Sequence, residues 1–216
     1  MNNHRLEKKF IYHQGDVSFK YFILSSMLKE SFPKRVVNSI YLDTSGFNDI
    51  WDNINGFGIR KKIRIRWYNK IDNSEVFIEE KVKINNVCDK KVDSLGIFKN
   101  YSDLTEYISS EKYLDKKFIL DKKLNLKKTI FVQYDREYFE LPNNKLRLTI
   151  DNNLKVFHGY PSGYINFDKT IIELKYKIND SKFVNDFIYK HELNNRNQKF
   201  SKYVNSFIEF NNSAYI

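Results

Sequence analysis

One cysteine, Cys88, stands in a chain of 216 residues, which excludes an internal disulfide and any cysteine-based zinc site. The four histidines, His4, His13, His158 and His191, are scattered without metal-ligand spacing. Three prolines and seven glycines are too few for a linker-rich or low-complexity chain. No run of about 18 apolar residues occurs, so an apolar transmembrane helix is excluded. The opening stretch from Met1 to Lys9 has no apolar core of the kind that secretion signals carry. These absences predict a soluble, cytoplasmic chain without a direct membrane span, folded as a single domain over residues 1–216.

What is abundant is aromatic bulk and positive charge. Fifteen Tyr and 18 Phe, with many Ile, Leu and Val, supply a core. A net charge of +10 implies attraction to anions, without saying which. Four stretches place basic side chains at every second residue: Lys62-Ile63-Arg64-Ile65-Arg66, Glu79-Glu80-Lys81-Val82-Lys83, Arg147-Leu148-Thr149-Ile150-Asp151 and Glu173-Leu174-Lys175-Tyr176-Lys177. Alternation across a strand puts Lys62, Arg64 and Arg66 on one face and Ile63, Ile65 and Trp67 on the other. A single strand of this kind is ordinarily a solvated face. Several with the same sign suggest convergence, and convergence is costly: two like charges about 6 Å apart repel by about 3 kcal/mol at an effective dielectric near 20. An anion that normally fills the space removes that cost, and a chain of phosphates fits best.

The periodicity predicts strands over 5–13, 36–43, 59–69, 75–84, 128–140, 145–157 and 169–178, with turns at Asp72-Asn73 and Pro142-Asn143-Asn144. Helices are expected over 17–30 behind an Asp16 cap, over 46–53 behind Thr44 or Ser45, from Asp180 or Ser181 to about 192, and over 197–210. The polar middle, 95–126, reads as partly helical, with Ser102 as a cap. Alternation alone fits either a sandwich or a barrel with a polar lumen. Same-sign clustering favours the lumen.

The motifs, taken in order, resemble the VTC domain, the polyphosphate-polymerase branch of the triphosphate tunnel metalloenzymes, related to CYTH domains. Arg5-Leu6-Glu7-Lys8-Lys9-Phe10 resembles the opening R-x-E-x-K-Y, and Ser39-Ile40-Tyr41-Leu42-Asp43-Thr44 resembles S-I-Y-F-D-T. Lys62–Arg66 resembles K-x-R-x-R, and Glu79-Glu80-Lys81 resembles E-x-K. Tyr134-Asp135-Arg136 is similar to Y-x-R, Arg147–Asp151 to R-x-T-x-D, Glu173-Leu174-Lys175-Tyr176 to E-x-K-Y, and Phe200-Ser201-Lys202-Tyr203 to F-S-K-Y.

The resemblance implies an α+β fold: a closed antiparallel eight-stranded β-barrel forming a basic tunnel, flanked by amphipathic helices. It implies a metal-dependent transferase that moves the γ-phosphate of ATP onto a growing polyphosphate chain. Arg64, Arg66, Lys81, Lys175 and Lys202 would be catalytic. Lys9, Lys62, Tyr134, Arg136, Arg147 and Ser201 would bind phosphate, and Glu173 would hold the divalent metal, Mn2+ or Mg2+. Lys90 or Lys91 could add a further cation, and Asp43 and Asp151 are expected to orient cations rather than bind metal. The partners implied are ATP and inorganic polyphosphate, with no nucleic acid; a membrane-protein partner for product export would lie outside this chain.

Two rivals stay open. A CYTH-type tripolyphosphatase would open with E-x-E-x-K, whereas Arg5 occupies the first of those positions here. A non-catalytic polyphosphate-binding module would ordinarily have lost a site residue, yet Glu173 and the matched basic positions are retained. A nucleic-acid binder would need a stacking motif, and none stands out.

Overall fold

Alternating apolar and charged residues make much of the described chain strand. The computed structural model describes residues 5–16, 23–84, 87–115, 125–159, 162–193 and 199–213. In chain order these form β1 (Arg5–His13), β2 (Lys29–Thr44), α1 (Asn48–Ile54), β3 (Ile59–Tyr68), β4 (Ser74–Ile84), β5 (Val87–Phe98), α2 (Tyr101–Ser109), β6 (Leu126–Glu140), β7 (Arg147–Gly159), β8 (Ser162–Phe167), β9 (Lys169–Lys177), α3 (Ser181–Lys190) and α4 (Lys202–Ser213). The fold is α+β, mostly antiparallel sheet with a few helices. No helix among the described residues is long and apolar enough to cross a membrane.

The hydrogen-bonded strand order is β1-β9-β7-β6-β2-β3-β4-β5, with β8 on β7. This corrects the expected closed eight-stranded barrel. Among the described residues there are nine strands, and hydrogen bonds there do not close the sheet: β1 and β5 end the order without pairing to each other. The periodicity of a strand reports which face each residue takes. Whether the two terminal strands meet depends on tilt and stagger, which alternation does not encode.

The chain divides into two compact units. Unit 1 comprises residues 1–35, 134–155 and 166–201; unit 2 comprises 36–133, 156–165 and 202–216. In unit 1, Phe10, Leu148, Ile150, Ile172 and Leu174 of the strands pack with Val184, Phe187 and Ile188 of α3. The spacing of those three helical residues makes one apolar stripe. In unit 2, Ile63, Ile65 and Trp67 pack with Val76 and Ile78, and Leu104 and Ile108 of α2 cover them. Trp67 stacks on Phe131 with ring centroids 5.4 Å apart. Each such fully buried side chain contributes about 1.5–3 kcal/mol.

The turns follow their residue chemistry. Asn73 and Asn144 take left-handed φ values of 53° and 56°, a conformation Asn tolerates better than most residues. Helix α1 ends before Gly56, whose φ is +74°. Helix α2 is capped by Asn100, whose side chain accepts from Asp103 N at 3.0 Å, not by Ser102, which lies inside the first turn.

Four further expectations need adjustment. Strand β2 starts at Lys29, well before the expected residue 36; of the helix expected over 17–30, residues 17–22 lie outside the described residues. Strand β5 takes Val87–Phe98, part of which read as the polar, partly helical middle. It ends the strand order and its apolar residues, Val87, Cys88, Val92, Leu95, Ile97 and Phe98, do not alternate regularly, so its sequence lacks the usual signal; its ladder to β4 holds it. Strand β8 is six residues long and too short to register as alternation. Helix α4 begins at Lys202, later than the expected 197.

Candidate functional site

In unit 2 the ladders turn separated motifs into rows. Arg64 lies directly opposite Glu79 and Tyr41, and Arg66 lies opposite Ser39. Two residues further along on the same face, Lys62 is opposite Lys81, which is opposite Lys90. Three strands therefore place three lysines in one row, next to a row containing Arg64 and Glu79. Like charges directly opposite on a sheet destabilise it, and the neighbouring Glu79 offsets this at Lys90, whose Nζ donates to Oε1.

Glu79 is the hub. Arg64 Nε donates to its Oε2 at 2.6 Å, Lys90 Nζ donates to Oε1 at 2.7 Å, and Arg66 Nη1 lies 3.5 Å from Oε2. The Glu79 side chain is 5% exposed. Burial alone would raise its pKa, but the charges of Arg64, Arg66 and Lys90 override this and hold it well below the ordinary carboxylate range. Burial lowers the Lys90 ammonium, with Glu79 opposing the shift. Arg66 is anchored a second way, donating from Nε and Nη2 to Ser39 Oγ at 3.1 Å each. These partners set both guanidiniums in place before any ligand arrives.

Unit 1 carries a second cluster on β1, β9 and β7. Lys9 is opposite Glu173, which is opposite Thr149; Lys175 is opposite both Glu7 and Arg147. Glu173 Oε1 lies 3.0 Å from Lys175 Nζ and Oε2 lies 3.6 Å from Lys9 Nζ. Lys9 also donates to the Phe200 carbonyl at 2.9 Å. Arg136 on β6 makes a bidentate pair with Asp151, at 2.5 and 2.7 Å, and its guanidinium sits 5.2 Å from the Tyr134 ring centroid. Burial would lower the Arg136 pKa, but Asp151, with Tyr134 and Glu173, raises it well above its ordinary value. That guanidinium stays charged.

Sequence-expected residues thus fall into groups. Arg64 and Arg66 share Glu79, Lys62 and Lys81 share a row beside it, and Lys9, Glu173 and Lys175 form a second ion-paired group. Arg136 is locked by Asp151, the orienting role expected of that carboxylate. Asp43 does something else. It accepts the backbone N–H groups of Thr44, Asp49 and Ile50 at 2.7–3.3 Å and the Tyr203 hydroxyl at 2.8 Å, so it caps α1 and ties α4 to β2. Lys202, buried in the first turn of α4, is next to that tie. Arg147 stands apart: its side chain is 56% exposed, and Glu140 lies 3.7 Å away.

Two contributors were not resolved by sequence reasoning. Lys90 could be assigned only once the β4–β5 register was known. Ser39 was visible inside a motif, but its contact to Arg66 needs the β2–β3 ladder. Buried Asp49 also stands out. Burial and the neighbouring Asp43 carboxylate raise its pKa to about 7, and its Oδ2 has no hydrogen-bond partner among the described residues.

The described residues contain no cluster of three or more His, Cys, Asp or Glu side chains. A hard divalent cation that takes most of its ligands from phosphate and water needs only one or two carboxylates from the protein. Glu173 fits that demand, with the Thr149 hydroxyl, which has no partner among the described residues, on the same rung.

Rows of cations alternating with single carboxylates on antiparallel strands define a β protein with basic sheet faces. The VTC domain family matches residues 4–210, and the chain belongs to that family. Comparison with curated proteins finds no match. Among solved structures, a Bacillus halodurans protein bearing the name adenylate cyclase is 11% identical, with a TM-score of 0.59, over 95% of this chain and 97% of that one. A Vibrio parahaemolyticus protein of the same name is 10% identical, with a TM-score of 0.56, over 95% and 99%. A Hippeastrum adenylyl cyclase homologue, described as revealing a dominant triphosphatase activity, is 12% identical, with a TM-score of 0.50, over 88% of both. At such identities the likeness is one of fold.

Proposed function

We propose that this protein is a metal-dependent polyphosphate polymerase that transfers the γ-phosphate of ATP to the end of a polyphosphate chain. The observation that carries this reading is the row Lys62–Lys81–Lys90 beside the Arg64–Glu79–Arg66 group, in a chain of the VTC family. In the proposal Arg64, Arg66, Lys81, Lys175 and Lys202 stabilise the transferring phosphoryl group. Lys9, Lys62, Tyr134, Arg136, Arg147 and Ser201 hold the rest of the phosphates, and Lys90 joins them.

Phosphoryl transfer spreads charge over the equatorial oxygens, so the protein contributes chiefly position and field. The arginines, fixed by Ser39, Glu79 and Asp151, supply planar bidentate contacts. The lysines supply point charges that follow the phosphate. An acceptor that is itself a phosphate chain brings an anionic oxygen, so no general base is needed. Glu173 would hold Mn2+ or Mg2+, which when bound neutralises charge on bridging phosphate oxygens.

Hydrolysis of tripolyphosphate is the second reading, favoured by the activity described for the Hippeastrum homologue. The carboxylates of these groups argue against it. Glu79 and Asp151 have cations at both oxygens, so beside Glu173 they leave little for a second metal or for activating water. The deciding experiment incubates purified protein with ATP and Mn2+ and resolves phosphate chains on a gel. Growing chains with ADP support the polymerase; orthophosphate without chains moves the assignment to hydrolysis. Neither product, together with tight polyphosphate binding, leaves a binding module.

A further inference from the structure

One end of unit 2 is apolar where a solvated protein should be polar. Trp51 and Ile54 of α1 are 54% and 46% exposed, and their i, i+3 spacing puts them on one helix face. The far side of the same helix buries Asp49, and Ile50 between the two sides is fully buried. Phe57, in the link after α1, is 55% exposed. Ile59 and Ile84 are direct cross-strand partners at the open ends of β3 and β4, 66% and 53% exposed. Isolated exposed apolar residues need no explanation; five large ones at one end of a unit do.

The residues behind this tip identify what it meets. One residue inward Arg60 is directly opposite Lys83, on the sheet face that also carries Lys62 and Lys81, while Lys61 follows on β3 on the same face as Ile59. Neither Arg60 nor Lys83 has an ion-pair partner among the described residues, and Arg60 Nε is a buried donor without a hydrogen bond there. Two facing cations repel unless an anion lies against both. A free phosphate would satisfy the cations but leave the aromatic and isoleucine side chains in water. A protein partner would need its own acidic and apolar pattern in the same order. An anionic bilayer provides both layers in sequence, phosphates outside and acyl chains within, and aromatic side chains favour that boundary.

We propose that the end of α1 and the open ends of β3 and β4 dock on an anionic lipid surface, with Trp51, Phe57, Ile59 and Ile84 entering the headgroup boundary and Arg60, Lys61 and Lys83 meeting lipid phosphates. Arg60 and Lys83 share a sheet face with Lys62 and Lys81, and the docking is measured without ATP, so its failure is distinguishable from failure of the polymerase reading.

The test is flotation of the intact chain with vesicles of phosphatidylcholine alone or with one-third phosphatidylglycerol. The fluorescence of the same samples adds a built-in probe, since Trp51 is exposed while Trp67 is only 2% exposed. Binding to the anionic vesicles, weakened by salt, with a blue shift in tryptophan emission, is expected. The double variant Phe57→Ser/Ile59→Ser should lower partitioning about tenfold or more at an unchanged melting temperature. Arg60→Glu/Lys83→Glu should remove the preference for phosphatidylglycerol.

Three results overturn the proposal. One is no flotation with anionic vesicles. Another is flotation that both double variants retain in full. The third is self-association through this end in sedimentation velocity, abolished by Phe57→Ser/Ile59→Ser, without any vesicle binding.

Discussion

Replacing Glu79 by Gln removes one negative charge from among three cations and almost no volume. Arg64 and Arg66 would keep their places on β3, and Lys90 its place on β5, but their shared counter-charge would be gone. Removing one partner of a buried ion pair costs about 3–5 kcal/mol. Lys90 is 43% exposed and Arg64 23%, so water recovers part of the loss, and about 2–3 kcal/mol remains. For a chain of this length that is roughly 4–12 °C in melting temperature.

The sign with pH follows from the depressed carboxyl. Its contribution is fully present above the ordinary value of 4.5 and is lost as pH falls below it toward the folded-state value. The gap between wild type and variant should therefore be full near pH 7 and narrow in acid. Polyphosphate supplies the missing charge, so it should stabilise the variant more than the wild type, through the linkage between binding and folding. Differential scanning fluorimetry across pH 3.5–8, with and without polyphosphate, measures all of this. A variant that melts within about 2 °C of wild type at pH 7, or an equal polyphosphate effect on both proteins, would refute the argument that Glu79 neutralises a ligand-seeking cation group.

Other predictions rest on separate parts of the molecule. Asp49 is held protonated to about pH 7, against an ordinary 3.8; its contribution to stability is complete below 3.8 and is lost as pH rises through about 7. Asp49→Asn should thus gain up to about 4 kcal/mol over wild type at pH 8 and almost nothing near pH 4, and a pH-independent difference in urea melts would contradict it. Arg64→Ala and Lys202→Ala should each abolish phosphate transfer while the melting transition stays cooperative; full activity in both sinks the catalytic assignment. Glu173→Gln should shift the Mn2+ titration of activity to higher metal, and an unchanged titration curve would remove Glu173 from the metal's ligands.

Much of the candidate site was legible because strands have a period of two. Once Lys62, Arg64 and Arg66 were seen to alternate with Ile63, Ile65 and Trp67, their common face followed, and the core of unit 2 confirms the apolar half. The ends of helices were less legible. Asn100 and Ser102 are both good caps, and which one serves depends on where β5 releases the chain. Lys90 stayed ambiguous beside Lys91 because neighbouring residues on a strand differ only in face. A register shift at Val76/Phe77 lies between β4 and β5, and the ladder beyond it puts Lys90 opposite Lys81.

The sequence by itself determined the class of elements, the sign of the charged faces and the family motifs, which depend on neighbours within a few residues, and its single cysteine excluded an internal disulfide. Tertiary structure alone decided which motif faces which. Glu79 meeting Arg64, Arg66 and Lys90 joins three strands, and Asp151 locking Arg136 joins two. It also decided that Asp43 caps a helix and holds Tyr203 while Asp151 orients an arginine, although both are buried acids on strands. Side-chain identity sets what a residue can bind. Register, which is set by the whole ladder, determines what it meets.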